Sequence, residues 1–128
     1  MNYPENLKYT KDHEWARIDG NQAVIGITHH AQNALGDVVF VELPKVGRIL
    51  KMGETFGVVE SIKAVSDLYS PCAGKVIEVN QALVDQPALA NQEPHEKAWM
   101  IKVEIADTSF IDSLMSAQSY SHYVETLN

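Results

Sequence analysis

Gly57-Val58-Val59-Glu60-Ser61-Ile62-Lys63-Ala64-Val65-Ser66-Asp67 is the stretch that decides the fold. Its β-branched residues favour the pleated, half-buried surface of a strand. They lie on both sides of a short join that holds neither glycine nor proline. Strands are therefore predicted over Phe56–Glu60 and Ala64–Tyr69, with the reversal near Ile62-Lys63. Lys63 then stands at a hairpin tip, where paired strands hold its backbone and leave its side chain pointing outward. Such a place suits an ε-amine that a modifying enzyme must reach and acylate. A lysine at an arbitrary hairpin tip is more often a solvated charge that keeps the turn soluble, so the tip alone does not decide.

Outward from the hairpin, glycine and proline punctuate further β-rich runs. Val38–Leu43 ends at Pro44, a turn is expected over Lys51–Glu54, and Lys75–Val79 follows Ser70-Pro71. Upstream, Trp15–Ile18 and Ala23–Ile27 flank Asp19-Gly20-Asn21, a hairpin signal. Thr28 is placed to cap a helix over His29–Leu35 that Gly36 stops. Residues 80–97 are polar and read as loop. Trp99–Ile105 returns to strand alternation. Two short helices close the chain, one capped by Thr108 over Phe110–Met115 and one capped by Ser116 with Tyr120, Tyr123, Val124 and Leu127 on one stripe. Short strands with frequent turns predict a mainly β sandwich or barrel. No Ala-, Pro- or Ser-rich linker divides residues 1–128, so one domain is expected.

Composition narrows the function. With 128 residues, 45% hydrophobic and 21% charged, the chain is long enough for a core without staples and too apolar for disorder. Its net charge of −7 disfavours a nucleic-acid partner, which calls for a basic footprint. No apolar run reaches the roughly 20 residues of a membrane span, and the start MNYPENLKYT lacks the regions of a secretory signal. One cysteine, Cys72, forms no internal disulfide. A reducing cytoplasm is the expected location, or a mitochondrial matrix had a transit peptide been removed. No metal site is expected: His29-His30 are adjacent and cannot both face one ion from a helix, and His13 has no second ligand at a suggestive spacing. Cys72, after Pro71 in a strand-rich stretch, reads as a packing residue. A small hydrolase built on it is the competing class.

Several separated motifs resemble the H-protein family of the glycine cleavage system. They are Lys8-Tyr9-Thr10-Lys11-Asp12-His13-Glu14-Trp15, Gly26-Ile27-Thr28, Ala34-Leu35-Gly36-Asp37-Val38-Val39, Glu42-Leu43-Pro44, the whole of Gly57–Pro71, and Glu78-Val79-Asn80. They run in order along nearly the whole chain. Biotin carriers differ, since methionines flank their lysine where Ile62 and Ala64 stand here. Lipoyl domains of 2-oxo acid dehydrogenases share the acid-x-x-Lys-Ala hairpin, but they precede a linker and a catalytic domain, whereas this chain stops at Asn128.

The resemblance implies a barrel-sandwich hybrid of two small antiparallel sheets with short helices, including one at the C terminus. It implies lipoate in amide linkage on Lys63 and a carrier rather than an enzyme. The arm would take an aminomethyl group from the glycine decarboxylase, deliver it to a folate-dependent aminomethyltransferase, and be reoxidised by dihydrolipoyl dehydrogenase. The expected state is a monomer. Lipoyl-attaching enzymes are further partners, met through Glu60, Ser61 and Ala64. Glu14 and Asp67, with Asp12 beside them, would line the site for the loaded arm, and Ile27, Ala31 and Leu35 would supply an apolar wall. The alternative function is a lipoyl donor or relay for lipoylating other proteins. Amidation would remove the Lys63 charge and leave Glu60 and Asp67 as an acidic docking face. One segment departs from the family pattern: Pro94-His95-Glu96-Lys97-Ala98-Trp99 keeps the proline and tryptophan but lacks the glycines of a Gly-x-Gly-Trp turn.

Overall fold

Apolar alternation sorts the described chain, residues 3–127 of this computed structural model, into nine strands and four α-helices. Met1, Asn2 and Asn128, the ends of the expected domain, lie outside the described residues. The strands are β1 (Lys8–Tyr9), β2 (Glu14–Asp19), β3 (Gln22–Ile27), β4 (Val38–Glu42), β5 (Ile49–Leu50), β6 (Thr55–Ser61), β7 (Val65–Tyr69), β8 (Gly74–Val79) and β9 (Ile101–Ile105). Helix α1 (His29–Leu35) joins β3 to β4, α2 (Gln81–Asp85) and α3 (Leu89–Gln92) follow β8, and α4 (Ala117–Thr126) ends the described chain. A 3₁₀ segment, Thr108–Ser113, precedes α4.

All strand pairs are antiparallel. Six form one sheet in the order β1-β2-β3-β9-β8-β5, and three form the other in the order β4-β6-β7. The fold is thus mainly β with two open sheets, as the motifs imply. Side chains alternate across a strand, so β2 and β3 serve two cores. Ala16, Ala23 and Ile25 join Val41, Val59, Leu68, Val76 and Val103 between the sheets. Trp15 and Val24 face the other way, into a cluster with Tyr3, Leu7, Tyr9 and Tyr120 under α4. Glu14 pairs with Ile27 and shares the inward face. Gly26, opposite Trp15, leaves space for the indole: a Cβ there would lie 2.7 Å from two of its ring carbons.

Helix α1 forms where its caps predict. Thr28 Oγ1 accepts from the Ala31 N–H, and Gly36 takes φ +77° while its N–H donates to the Gln32 carbonyl. The Ser116 cap of α4 is likewise present, accepting from the Ser119 N–H. Three expectations are corrected. Residues 80–97 are not simply loop, because α2 and α3 form there to bury Leu83 and Ala90. The helix expected from a Thr108 cap is a 3₁₀ segment that begins at Thr108, with Asp107 as the cap accepting from the Ser109 N–H. Leu127 is exposed, so the α4 stripe ends at Val124. The glycine-free loop after Pro94 needs no positive φ. It is pinned instead by Trp15 Nε1–H donating to the Pro94 carbonyl (2.8 Å) and by Asn80 Nδ2 donating to the carbonyls of Lys97 and Trp99.

Candidate functional site

Strands β6 and β7 reverse through Ser61-Ile62-Lys63-Ala64, with the Ser61 N–H donating to the Ala64 carbonyl at 2.8 Å. Ser61 Oγ accepts from the Ala64 N–H (3.0 Å) and the Lys63 N–H (3.3 Å), so one hydroxyl organises the turn. The Ile62 N–H donates to the Asp37 carbonyl and ties the tip to the chain leaving α1. Lys63 is exposed and makes no salt bridge among the described residues. Its aliphatic stem passes over Gly36, where a Cβ would lie 3.4 Å from Lys63 Cε. The amine is therefore accessible, as the hairpin predicts, but its stem rests on the end of α1.

Beside β7 lies a cavity of about 190 Å³. The residues expected from the resemblance, Asp12, Glu14, Ile27, Ala31, Leu35 and Asp67, all line it. His13, Ala34, Ser66 and Leu68 complete the wall. Ser66 of β7 is three residues past the lysine, so at most about 10 Å of chain separates them. A second cavity of about 260 Å³ shares Asp12 and Glu14 with the first. Glu60, Ser61 and Ala64 lie outside both and surround the lysine's turn.

Glu14 is the buried carboxylate of the site, only 2% exposed. Its Oε1 accepts from Thr10 Oγ1 at 2.8 Å, and its Oε2 receives a long contact from the Tyr69 N–H at 3.5 Å. No cation pairs with it among the described residues. Burial dominates and pushes its pKa up to about 7. The negative Asp12 adds to the rise, and the two donors oppose it. At neutral pH this group is poised between its acid and its anion, and a cation brought alongside would draw it to the anion.

His13, which the sequence offers no reason to single out, shapes the wall. It holds the one positive-φ non-glycine backbone among the described residues, at φ +69°, a conformation of some cost kept by its surroundings. Its Nδ1 is 2.8 Å from the Tyr120 hydroxyl, which is 2.7 Å from Thr28 Oγ1. Burial, and then the neighbouring His30, lower its pKa. The three groups form one hydrogen-bonded chain that links His13, Tyr120 of α4 and the Thr28 cap of α1. His95 steadies the neighbouring helix in a similar way. Its Nε2 accepts from the His29 N–H in the first turn of α1, and burial lowers its pKa to about 4. Neither role is legible in the sequence, because the partners are 107 and 66 residues away in the chain. Cys72 is fully buried and its thiol is pushed up to about 11 by burial, which makes it a packing residue. No group of His, Cys, Asp and Glu among the described residues is arranged to hold a metal ion, and no helix is long and apolar enough to cross a membrane.

Comparison with known proteins bears on the whole chain. Residues 7–127 match the family model described as "Glycine cleavage H-protein". Glycine cleavage system H proteins of Bacillus cereus strain AH820 and Bacillus anthracis strain A0248 are each 54% identical over 121 residues, covering 94% of this chain and 95% of theirs. The crystal structure of a glycine cleavage system H protein from Mycobacterium marinum superposes with a TM-score of 0.89 at 40% identity, covering 96% of this chain and 99% of that one. With sequence, sheets and hairpin in agreement, the chain belongs to the glycine cleavage H-protein family, the lipoyl carriers of that system.

Proposed function

We propose that Lys63 carries lipoate in amide linkage and that residues 1–128 act as one non-catalytic carrier domain, a cytoplasmic monomer. It takes an aminomethyl group from the glycine decarboxylase to the aminomethyltransferase and then meets dihydrolipoyl dehydrogenase. The observation that supports this best is an accessible amine, with no ion pair among the described residues, on a hydrogen-bonded hairpin beside a cavity that holds three acids and an apolar wall. Bound lipoate supplies a disulfide for group and electron transfer, and the protein supplies placement and shelter.

The residues fit that cofactor. Ile27, Ala31, Leu35 and Leu68 give an apolar lining suited to a hydrocarbon arm. Glu14 meets the cationic amine of the cargo: its burial removes competing water, and a positive charge favours its anion. Asp12 and Asp67, at the same wall, add negative potential. The His13–Tyr120–Thr28 chain fixes the backbone from which Asp12 and Glu14 project. The test is peptide mass measurement after lipoylation, followed by glycine turnover with the purified partner enzymes. The reading expects a lipoyl increment on Lys63 and turnover that depends on it. An increment on another lysine would overturn the assignment of the site, and a lipoylated protein that turned over no glycine would overturn the shuttle.

A further inference from the structure

The three-stranded sheet shows an apolar face beside the lysine that the cavity does not use. Val39 is 54% exposed, Phe40 46%, Ile62 71% and Val65 67%. Phe40, Glu60 and Val65 stand in one row across the three strands. Between Val38 and Phe40 the register shifts by a bulge, which breaks the alternation and leaves two consecutive apolar residues outward. Glu60 of the central strand stands between Phe40 and Val65 in that row, so the apolar side chains flank a carboxylate. Clustered apolar exposure on a sheet face marks an interaction surface. Glu60 within the face and Asp67, two residues past Val65 on β7, supply negative charge.

Reach decides which partner sits there. An enzyme that acts on the far end of an arm docks wherever that end arrives. An enzyme that acylates Lys63 itself must bring its reaction centre to the unmodified ε-amine, so its footprint covers the tip and the strand ends beside it. We propose that Val39, Phe40 and Val65 form the docking face for the lipoyl-attaching enzyme, whose own surface is an apolar recess rimmed by cations. This rests on Lys63 being the lipoylated residue. In the step, Nζ attacks the carbonyl carbon of lipoate activated by ATP as an acyl-phosphate anhydride, or held as a thioester, and a C–N bond forms. The bond to the leaving oxygen or sulfur breaks with its electron pair, and Nζ releases a proton to solvent.

The experiment follows lipoylation of the unmodified protein by mass, using a purified lipoyl-attaching enzyme and lipoate with ATP. Variants are the double V39S/F40S and the near-isosteric V65T, with F40L as the conservative control. Each is then driven to full lipoylation by long incubation and tested for glycine turnover. The double variant should lose about tenfold in lipoylation kcat/KM, mostly through KM. V65T should lose less, F40L should stay near the parent, and loaded proteins should turn over glycine within about twofold of the parent. Unchanged lipoylation in V39S/F40S and V65T would overturn the proposal while leaving the carrier reading intact, as would an equal fall in lipoylation and loaded turnover. A parent protein that gains no lipoyl group on Lys63 would take both readings down together.

Discussion

The hairpin tip and the Thr10–Glu14 segment hold the two charged groups of the site in opposite ways. At the tip, Lys63 is exposed, and one serine hydroxyl organises its turn. In the other segment, Glu14 is buried, Thr10 binds it at both the side chain and the backbone N–H, and His13 is held at positive φ by contacts from α4. On the proposed function, the amine is free because an enzyme has to reach it. On the same reading, the carboxylate is fixed because it acts by being in place before a cargo arrives. A carrier can thus keep its attachment point simple and place its structural constraint in the receiving wall.

The sharpest way to break the comparison is Lys63→Arg, which keeps the charge and removes the acylable amine. Lipoylation and glycine turnover should vanish while the melting temperature stays within about 2 °C, since a surface substitution changes stability by only about 0.5 kcal/mol. Loss of fold along with activity would show that the tip is structural.

Next comes Glu14→Gln. The folded protein holds the Glu14 proton up to about pH 7, against 4.5 for the free side chain. Between those values the folded state binds more protons than the unfolded one. The contribution of Glu14 to stability therefore falls as pH rises from about 4.5 to 7, and its full cost is present above that window. Its size is about 3–4 kcal/mol at most. His13 and His95, whose pKa values burial lowers, contribute an opposing rise over part of the same window in both proteins. Denaturant titrations across pH 4–8 should therefore show the Glu14 contribution as the difference between parent and E14Q, with the variant gaining on the parent as pH rises and more stable at pH 8. An identical slope in both would place the titration elsewhere.

Tyr120→Phe probes how firmly the wall is held. It strips a hydroxyl from between His13 and Thr28 and should cost about 1–3 kcal/mol. The exchange of loaded cargo with solvent should quicken, whereas lipoylation should keep its rate. Ser61→Ala should have the smallest effect, about 0.5–1.5 kcal/mol, with a lipoylation slowdown of a few fold and no change in the Glu14 titration. If S61A proved the costlier of these two substitutions in urea unfolding, the contrast between a simple tip and a constrained wall would be reversed.

What is readable in the chain follows the same division. The Lys63 hairpin lies in one contiguous run, and Thr28 and Gly36 announce both ends of α1, because caps and turns are local chemistry. The site acids and the apolar wall come from motif resemblance, and the structure gathers them from four separated segments. The roles of His13 and His95 are hidden in the sequence, since their partners come from distant segments. α2 and α3 escape sequence reading because they are five and four residues long, lack side-chain caps, and owe their form to burying Leu83 and Ala90. The two-residue β1 and β5 are strands only by virtue of their neighbours. A local pattern does not reveal the bulge in β4 either, since it is a mismatch of register between two strands.

The placement of the two tryptophans has a practical consequence. Trp15 lies in β2, packed on Gly26 and bonded to Pro94, and Trp99 leads into β9 with Lys102 over its ring. Both belong to the six-stranded side, and β4, β6 and β7 hold none. Tryptophan emission will therefore follow melting of one half of the molecule and stay dark to opening of the half that holds the Lys63 hairpin. Agreement between emission and amide-exchange midpoints would show that the halves unfold as a unit. An earlier exchange transition in 38–42 and 55–69 would reveal a carrier half that loosens by itself.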